Sequence, residues 1–468
     1  MPYQMPKNRD LGINSCQDCL DKQREIDRLK AEVQRLKAAL HYRDRKREDG
    51  PFGSSTPSSL IPLKPNSKEE NINKKGGAKF GHKGHGRKSL TPQQADRIEE
   101  VSVDRTCPHC GDALVSKGRR SRTVIDIDPV EVKKIIYRLE RKLCPGCGCT
   151  LQAKPPSVLP HSALGNQLMA ELLESHYLQG VPLGRLCVKF NLNPSTVISA
   201  FHRVGKLFEP AYKELITEYR NSVVRHADET RWRTDGESNY CWLFCTTKLS
   251  IYLFGRSRSS SVVKEVLGVK ALTGWLVVDR YAAYNRAPCR LQYCYAHLMR
   301  EVECLAKEFA EEEEVKLFTS TLIPLLSEAQ HLRRQAISDR QYLRRARELK
   351  EKIIEVNLSP ALHLGIRKIQ NIFLDNSERL YHWAEDRRVP AENNLSEREL
   401  RPTVIARKVS FGSQSEEGAK TRGILMSIFH SLRKSVGEPK KRIKEALDLL
   451  ASDGKVEIYK ALFGNDSS

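Results

Sequence analysis

The stretch NSVVRHADET, residues 221–230, begins a run of short apolar segments that sets the fold. YCWLFCTT (240–247) and SIYLFG (250–255) follow closely and are rich in the β-branched and aromatic residues typical of strands. After a helical piece around SSSVVKEVLG (259–268), the segments GWLVVDRYAAYN (274–285) and LQYCYAH indicate further strands. Three successive strands, followed by strands that alternate with helices, predict a mixed α/β sheet flanked by helices.

Two aspartates follow apolar strands of this sheet. Asp228 comes after VVRHA, and Asp279 comes after GWLVV. Carboxylates at strand ends of an α/β sheet are well placed to meet over a shared ligand site. For either residue alone, the simpler interpretation is that an aspartate begins a turn.

A third carboxylate lies in AENNLSERELRP, residues 391–402. This segment follows a long, charged interval, about 301–385, that we interpret as an all-α insertion. On a helix, Asn393, Asn394 and Arg401 share the face of Glu397, so few anions oppose it. Glu397 can then approach a metal ion that the two aspartates already hold.

The remaining residues of this segment are expected to be less important. Glu392 and Glu399 share another helical face and are expected to lie in solvent. Pro402 is expected to end the helix within about one turn.

The composition points to a polyanionic partner. The chain has 468 residues, enough for about three domains, and a net charge of +21 with 79 Lys and Arg. Such charge along the whole chain favours nucleic acid. No apolar run approaches about 18 residues and no signal sequence is evident, so we expect a cytoplasmic protein without membrane contact.

Two pairs of cysteines indicate structural zinc. CPHC (107–110) and CPGCGC (144–149) are separated by a strand-like segment, and two CxxC turns suit a tetrahedral thiolate site. The predicted ligands are Cys107, Cys110, Cys144 and Cys147. Cys149 is an alternative ligand, and leftover core cysteines or redox pairs are the alternative interpretation. CQDC (16–19) is a single knuckle, for which a zinc ion shared across a dimer is one possibility.

The amino-terminal region predicts a helix and then a basic arm. Ile26, Leu29, Val33, Leu36 and Leu40 recur at steps of three and four, as in a short coiled coil or an amphipathic helix of one domain. The following residues are poor in apolar side chains and contain KKGGAKFGHKGHGRK, whose glycines and cations can approach phosphates or form a merely solvated tail. Further on, QGVPLG and NLNPS separate helices that resemble a helix-turn-helix, although many all-α segments look the same.

The motifs together resemble a known family. A coiled coil, FGSSTPSS, GGAKFGHKGHGRK, two CxxC knuckles, HADET, VVDRYAAYN, CYAHLMRE and ENNLSERELRP with ARK after it occur in this order. This order is similar to that of the transposases of the insertion sequence 66 family. Glu392 stands where the family commonly has Asp, and Val409 where an aromatic residue is common, but neither belongs to the matching catalytic positions.

The resemblance implies an RNase H-like core with a DDE triad at Asp228, Asp279 and Glu397. It implies Mg²⁺ or Mn²⁺ at the triad, structural Zn²⁺, and a bacterial protein that acts at the nucleoid on double-stranded DNA. Terminal inverted repeats would be recognised and nicked, and the freed 3′-hydroxyl would be joined to target DNA by two-metal phosphoryl transfer. A homodimer or higher oligomer and accessory proteins of the element are further expected partners.

The expected DNA contacts form two groups. They are Lys74, Lys75, Lys79, Lys83, Arg87 and Lys88 in the arm, and Arg398, Arg401, Arg407 and Lys408 after the catalytic glutamate. His226 is expected to be an ordinary hydrogen-bonded sheet histidine, and Cys294 with His297 is not expected to form a second metal site.

The predicted domains follow from these segments. They are 1–47 coiled coil, 48–95 basic linker, 96–155 zinc-binding domain, 156–215 helix-turn-helix-like domain, 216–437 catalytic core with its insertion at about 301–385, and 438–468 helical tail. Two other functions remain open at this point: a nuclease of the same superfamily that cuts without joining, and a catalytically silent or domesticated DNA-binding protein.

Overall fold

The computed structural model describes residues 132–143 and 150–464, and single positions between 22 and 149 outside these ranges. The chain forms two compact units, Met1–Ile61 with Leu139–Ser468, and Pro62–Arg138. The first unit contains the sheet and nearly all described residues, and the architecture below is that of this unit.

Several predictions fall outside the described residues. These are the linker calls from 48 to 92 and the side chains of Cys16, Cys19, Leu36, Leu40, Lys74, Lys75, Lys79, Lys83, Arg87, Lys88, Cys107 and Cys144. Of the predicted coiled coil, Ile26, Leu29 and Val33 are described; they are helical and exposed. The coiled coil therefore stays a prediction.

A five-stranded mixed sheet forms the centre of the first unit. A small antiparallel hairpin precedes it, made of β1 (Arg141–Leu143) and β2 (Thr150–Gln152). The sheet strands are β3 (Val224–Thr234), β4 (Glu237–Cys245), β5 (Ser250–Arg256), β6 (Trp275–Val278) and β7 (Arg290–Tyr293). Their spatial order is β5-β4-β3-β6-β7, with β3, β4 and β5 antiparallel and β6 and β7 parallel to β3.

Helices surround this sheet. They are α1 (Asn166–Leu173), α2 (Leu183–Phe190), α3 (Pro194–Asn221), α4 (Ser260–Leu267), α5 (Tyr295–Glu308), α6 (Glu313–Leu332), α7 (Asp339–Leu358), α8 (Leu364–Asp375), α9 (His382–Glu385), α10 (Asn394–Ser410), α11 (Glu416–Ser435), α12 (Pro439–Ser452) and α13 (Ile458–Phe463). The interval predicted as helical thus contains most of α5 and all of α6 to α9. The sheet with its many helices is the mixed α/β arrangement that the sequence predicts.

Aromatic side chains fill the space between the sheet and the helices. Trp232 and Trp242 are fully buried, and the Trp242 ring stacks on Phe244 at a centroid distance of 6.1 Å. On the β5 side, α11 packs directly against the strand because Gly423 has no side chain: a Cβ there would lie 2.8 Å from the Tyr252 carbonyl oxygen. Burial of this kind supplies most of the driving force for the sheet and its helices to associate.

The helical segment before the sheet contains the predicted turn. Asn191 ends α2 in the left-handed conformation, and the Asn193 side chain accepts from the Ser195 amide to cap α3. His202 of α3 contacts the Thr421 hydroxyl at 2.7 Å and faces α11. The helix-turn-helix function stays a prediction.

The helix that carries Glu397 is longer than predicted. α10 continues to Ser410 through Pro402, which was expected to end it. Leu400, Thr403 and Val404 are buried against the sheet side, and their packing outweighs the hydrogen bond that proline cannot donate. Propensity at one residue is overridden by tertiary burial of its neighbours.

Candidate active site

Asp228 and Asp279 belong to two adjacent parallel segments of the sheet. Asp279 directly follows β6 as expected, but Asp228 lies within β3, which continues to Thr234, instead of after its end. The register pairs Val224 with Trp275 and His226 with Val277. Two residues further along the chain are Asp228, within β3, and Asp279, one residue after β6. Because side chains two residues apart on a strand share a face, both aspartates point to the same side of the sheet.

Each aspartate uses one oxygen locally. Asp228 Oδ1 accepts from the Glu229 amide at 2.8 Å, and Asp279 Oδ1 accepts from the Tyr281 amide at 3.0 Å. Asp228 Oδ2 is buried and has no hydrogen-bond partner among the described residues. A buried carboxylate oxygen without a donor is costly unless another ligand satisfies it.

Negative charge is concentrated around these two carboxyl groups. Burial raises the pKa of Asp228 well above its usual range, and the charges of Glu229, Asp279 and Glu397 raise it further. Burial and then the Glu229 charge raise the pKa of Asp279 to about 7. Such a cluster is stabilised by protons or by cations, since like charges this close oppose ionisation.

Glu397 lies in the first turn of α10, and its side chain is 13% exposed. Arg300 of α5 places its Nη2 3.3 Å from both carboxylate oxygens. His297 Nε2 lies 4.0 Å from Oε1, but burial lowers the pKa of His297 to about 3, so this imidazole is neutral. Burial raises the pKa of Glu397 against the opposing effect of Arg300.

Asn393 attaches the start of α10 to β3. Its Nδ2 donates to the Ala227 carbonyl at 2.8 Å, and its Oδ1 lies 2.8 Å from His226 Nδ1. Since Oδ1 can only accept, His226 donates through Nδ1; it is a satisfied sheet histidine, as expected. The Asn393 amide also donates to Cys294 Sγ at 3.1 Å. These bonds hold the first turn of α10, which contains Glu397, close to β3 and Asp228.

This geometry corrects three expectations. Asn393 does not line the face of Glu397, because it precedes the helix and faces the sheet. Glu392 is buried and bound to Arg334 at 2.6 Å. Glu399 is buried and bound to Lys434 at 3.3 Å, so neither glutamate lies in solvent. Their ion-pair partners lie more than thirty residues away in the sequence, so local spacing cannot reveal them.

Sequence reasoning missed Glu229. Its carboxylate is buried beside Asp228 and accepts from Arg258 Nη2 at 2.7 Å, from Arg258 Nε at 2.9 Å and from the Tyr284 hydroxyl at 2.6 Å. Arg258 also covers the Tyr281 ring at 4.0 Å. The only signal in the sequence was a second acid directly after Asp228, on the opposite face of the strand.

The four predicted DNA contacts after Glu397 divide into two kinds. Arg398, Arg401 and Lys408 are exposed on α10. Arg407 instead donates to the Thr230 hydroxyl at 3.1 Å and to a β3 carbonyl at 2.7 Å. Arg407 therefore braces α10 against β3, and its predicted contact with phosphate loses support.

A comparison with known families decides the class of protein. A family model described as "Transposase IS66 family" matches residues 161–421, more than half of the 468-residue chain. The chain belongs to the IS66 transposase family. A second model, described as the zinc-finger binding domain of transposase IS66, matches residues 104–148. The family predicted from the motifs is confirmed, and it implies a DNA transposase that binds DNA.

This IS66 transposase is similar to two proteins of Sinorhizobium fredii. The uncharacterized protein y4jD is 24% identical over 391 residues, which cover 74% of this chain and 75% of that protein. The uncharacterized protein y4qI is 23% identical over 412 residues, which cover 78% and 75%. Their names state no activity. The two alignments show that the similarity extends over about three quarters of this chain.

The zinc finger of the IS66 transposase contains the predicted metal ligands. All four predicted cysteines fall within residues 104–148, whereas Cys149 lies one residue beyond. The hairpin of β1 and β2 pairs Leu143 with Thr150 and so closes the loop that contains the second knuckle. Cys110 and Cys147 are exposed. The family match supports Zn²⁺ in this domain.

The carboxylates of the transposase are not arranged as a finished cation site. Within the described ranges, no three His, Cys, Asp or Glu side chains already converge as metal ligands. Glu397 contacts Arg300 instead, and Cys294 is occupied by the Asn393 amide. The donor set still fits a hard divalent cation, since oxygen ligands come from β3, the end of β6 and α10 and one buried oxygen has no partner.

Among the described helices, none is long and apolar enough to cross a membrane.

Proposed function

We propose that this transposase nicks the terminal inverted repeats of an insertion sequence and joins the freed 3′-hydroxyl to target DNA, using Asp228, Asp279 and Glu397 to hold Mg²⁺ or Mn²⁺. The level placement of the two aspartates on β3 and β6 carries the proposal. Asn393 supports it by keeping the helix of Glu397 beside Ala227 of β3, the residue before Asp228. A third carboxylate completes the usual oxygen ligand set of such sites.

The sheet supports an RNase H-like core. Three antiparallel strands continue into two parallel ones, with the longest strand, β3, in the centre. One aspartate lies within this central strand, one directly follows its parallel neighbour, and the glutamate comes from a helix after the helical interval. This chain order matches the order of acids that the family resemblance implies.

The chain's own groups would have distinct roles in the reaction. Bound divalent cations would supply activation of the attacking oxygen and charge stabilisation at the phosphoryl group. Asp228 on β3 and Asp279 directly after β6 would bind them, since the neighbouring charges of Glu229 and Glu397 favour added positive charge there. Glu397 would exchange Arg300 for a cation, and Arg300, which is 32% exposed at its side chain, would then donate to a phosphate oxygen.

The other regions would recognise and assemble the element ends. The zinc domain and the basic arm would bind the terminal repeats, and the amino-terminal helix would hold two or more copies together. Joining two element ends requires such assembly, whereas cleavage by a simple nuclease does not. Action at the bacterial nucleoid in the cytoplasm, with accessory proteins of the element, follows from the same proposal.

The test is strand cleavage and joining on a labelled element end with Mg²⁺. Wild type should nick the end and join it to a second duplex, and Asp228→Asn should bind the DNA but do neither. Glu351→Gln, which changes an exposed carboxylate on α7, is the control and should act as wild type. Cleavage without joining would favour the nuclease, and binding without cleavage by wild type would favour a silent DNA-binding protein.

A further inference from the structure

The outward face of α10 combines cations with exposed apolar side chains, which is unusual for a helix in solvent. We call this surface the α10 ridge; its members are Arg398, Arg401, Ile405, Lys408, Val409 and Phe411. Ile405 is 56% exposed, Val409 is 43% exposed and Phe411 is 76% exposed. A surface helix normally turns its apolar residues inward, so an apolar stripe on the outer face indicates a partner.

The ridge begins at the catalytic glutamate. At about 100° per residue, Glu397 and the helical members of the ridge fall within about 120° of arc around α10. The buried face of the same helix holds Ser396, Glu399 and Leu400 on the other side. Any ligand that reaches Glu397 along this face therefore meets the ridge next.

The charge of the ridge selects the partner. Arg398, Arg401 and Lys408 have no hydrogen-bond or ion-pair partner among the described residues, and between 398 and 411 the only acid is Glu399, which is buried. Charged residues are depleted at the cores of protein–protein interfaces, whereas the α10 ridge interleaves three cations, one of them a lysine, with its apolar side chains. A polyanion that also offers flat apolar surfaces fits both features, and DNA is such a ligand.

Phe411 is held in place by its backbone instead of by packing of its ring. It ends α10 with φ 60°, a left-handed conformation that is uncommon for a residue other than glycine. Its amide donates to the Arg407 carbonyl at 2.9 Å. Two residues later, Ser413 donates to the Arg233 carbonyl and accepts from the Asp235 amide, both at 2.9 Å. The ring thus projects from a fixed support and contacts little of the protein.

We infer that DNA continuing from the cleaved end lies along the α10 ridge and that Phe411 inserts beside a base and unstacks it. This inference rests on the proposed function and adds the surface that holds its substrate. Phe411 is 14 residues after Glu397, about 21 Å along the helix axis, which corresponds to about six base pairs. Apolar wedges that unstack base steps are a known mode of DNA binding.

The test places 2-aminopurine, whose fluorescence rises on unstacking, at successive positions of a duplex that carries the element end. Binding by Asp228→Asn, used to prevent cleavage, should raise the fluorescence at one position about six base pairs from the cleavage site. Adding Phe411→Ala should abolish the rise and weaken binding about tenfold, and Phe411→Tyr should retain both. Leu317→Ala is the matched control, since Leu317 on α6 is 72% exposed.

The outcomes separate this inference from the proposed function. If wild type cleaves the same duplex but no position responds to Phe411, the ridge inference is wrong and the transposase proposal stands. If unstacking depends on Phe411 but wild type never cleaves, the transposase proposal is wrong and the contact of Phe411 with DNA stands. A change of oligomeric state in Phe411→Ala without DNA, with unaltered DNA binding, would assign the ridge to a second copy of the chain and overturn the inference.

Discussion

Arg300 contacts both carboxylate oxygens of Glu397, each at 3.3 Å from its Nη2 atom. The two residues lie on different helices, α5 and α10. A cation must compete with this guanidinium for Glu397. The pair therefore connects the resting arrangement of the site with the arrangement that the proposed reaction needs.

The first prediction concerns this contact. Arg300→Gln should lower the rate of strand cleavage about 100-fold while DNA binding is retained, because a charged donor to the phosphate is lost. Arg300→Lys should restore little, since an ammonium lacks the planar array of donors that a guanidinium offers to a phosphate. Arg344→Gln, on the exposed side of α7, is the control and should cleave normally. Cleavage by Arg300→Gln at the wild-type rate would contradict a role in the reaction.

The second prediction compares two neighbouring asparagines. Asn393→Ala should lower the free energy of unfolding by about 1–3 kcal/mol, because the Ala227 carbonyl and the His226 ring each lose a buried partner. Asn394→Ala should change it by less than about 0.5 kcal/mol, since Asn394 is exposed. Urea denaturation followed by circular dichroism measures both. Equal losses from the two variants would show that Asn393 does not anchor α10.

The third prediction concerns pH. The pKa of Asp279 is raised to about 7 in the folded protein, whereas an unfolded aspartate ionises near pH 4. Between these values the unfolded chain has released a proton that the folded chain keeps. The free energy of unfolding of metal-free protein should therefore fall as the pH rises through this window.

Denaturation at about pH 5 and about pH 8, in a chelator and in Mg²⁺, measures this effect. Mg²⁺ should restore stability mainly at the higher pH, and Asp279→Asn should reduce both the pH dependence and the Mg²⁺ effect. Stability that rises with pH in the chelator, with Asp279→Asn behaving as wild type, would contradict the arrangement of charges described above.

The fourth prediction concerns zinc. The purified chain should contain one zinc ion per molecule, measured by elemental analysis, and Cys107→Ser or Cys147→Ser should lower this content to near zero. Cys149→Ser should retain the metal, because Cys149 lies outside the matched zinc-finger segment. Cys304→Ser, an exposed cysteine of α5, serves as the control. Loss of zinc in Cys149→Ser but not in Cys147→Ser would show that Cys149, and not Cys147, is the ligand.

The sequence predicts the strands of the sheet because their signal is local. Apolar runs rich in β-branched and aromatic residues mark β4, β5 and β6, and a polar residue after such a run marks the end of β6. The burial of Glu399 could not be predicted, since Lys434 is supplied by α11 from far along the chain. The continuation of α10 beyond Pro402 could not be predicted either, because only the folded structure shows that the residues around Pro402 are buried. The zinc ligands lie partly outside the described residues and stay a sequence prediction supported by the family match.

The most direct measurement of the central claim is the rate of cleavage of a labelled element end by single and double carboxylate variants. Asp228→Asn, Asp279→Asn and Glu397→Gln should each lower the rate about 1,000-fold or more, and Asp228→Asn combined with Glu397→Gln should lower it no further, because residues that act as one unit are not additive. All should still bind the DNA. Cleavage by any single variant near the wild-type rate, or losses that multiply in the double variant, would contradict a single site formed by these three carboxylates.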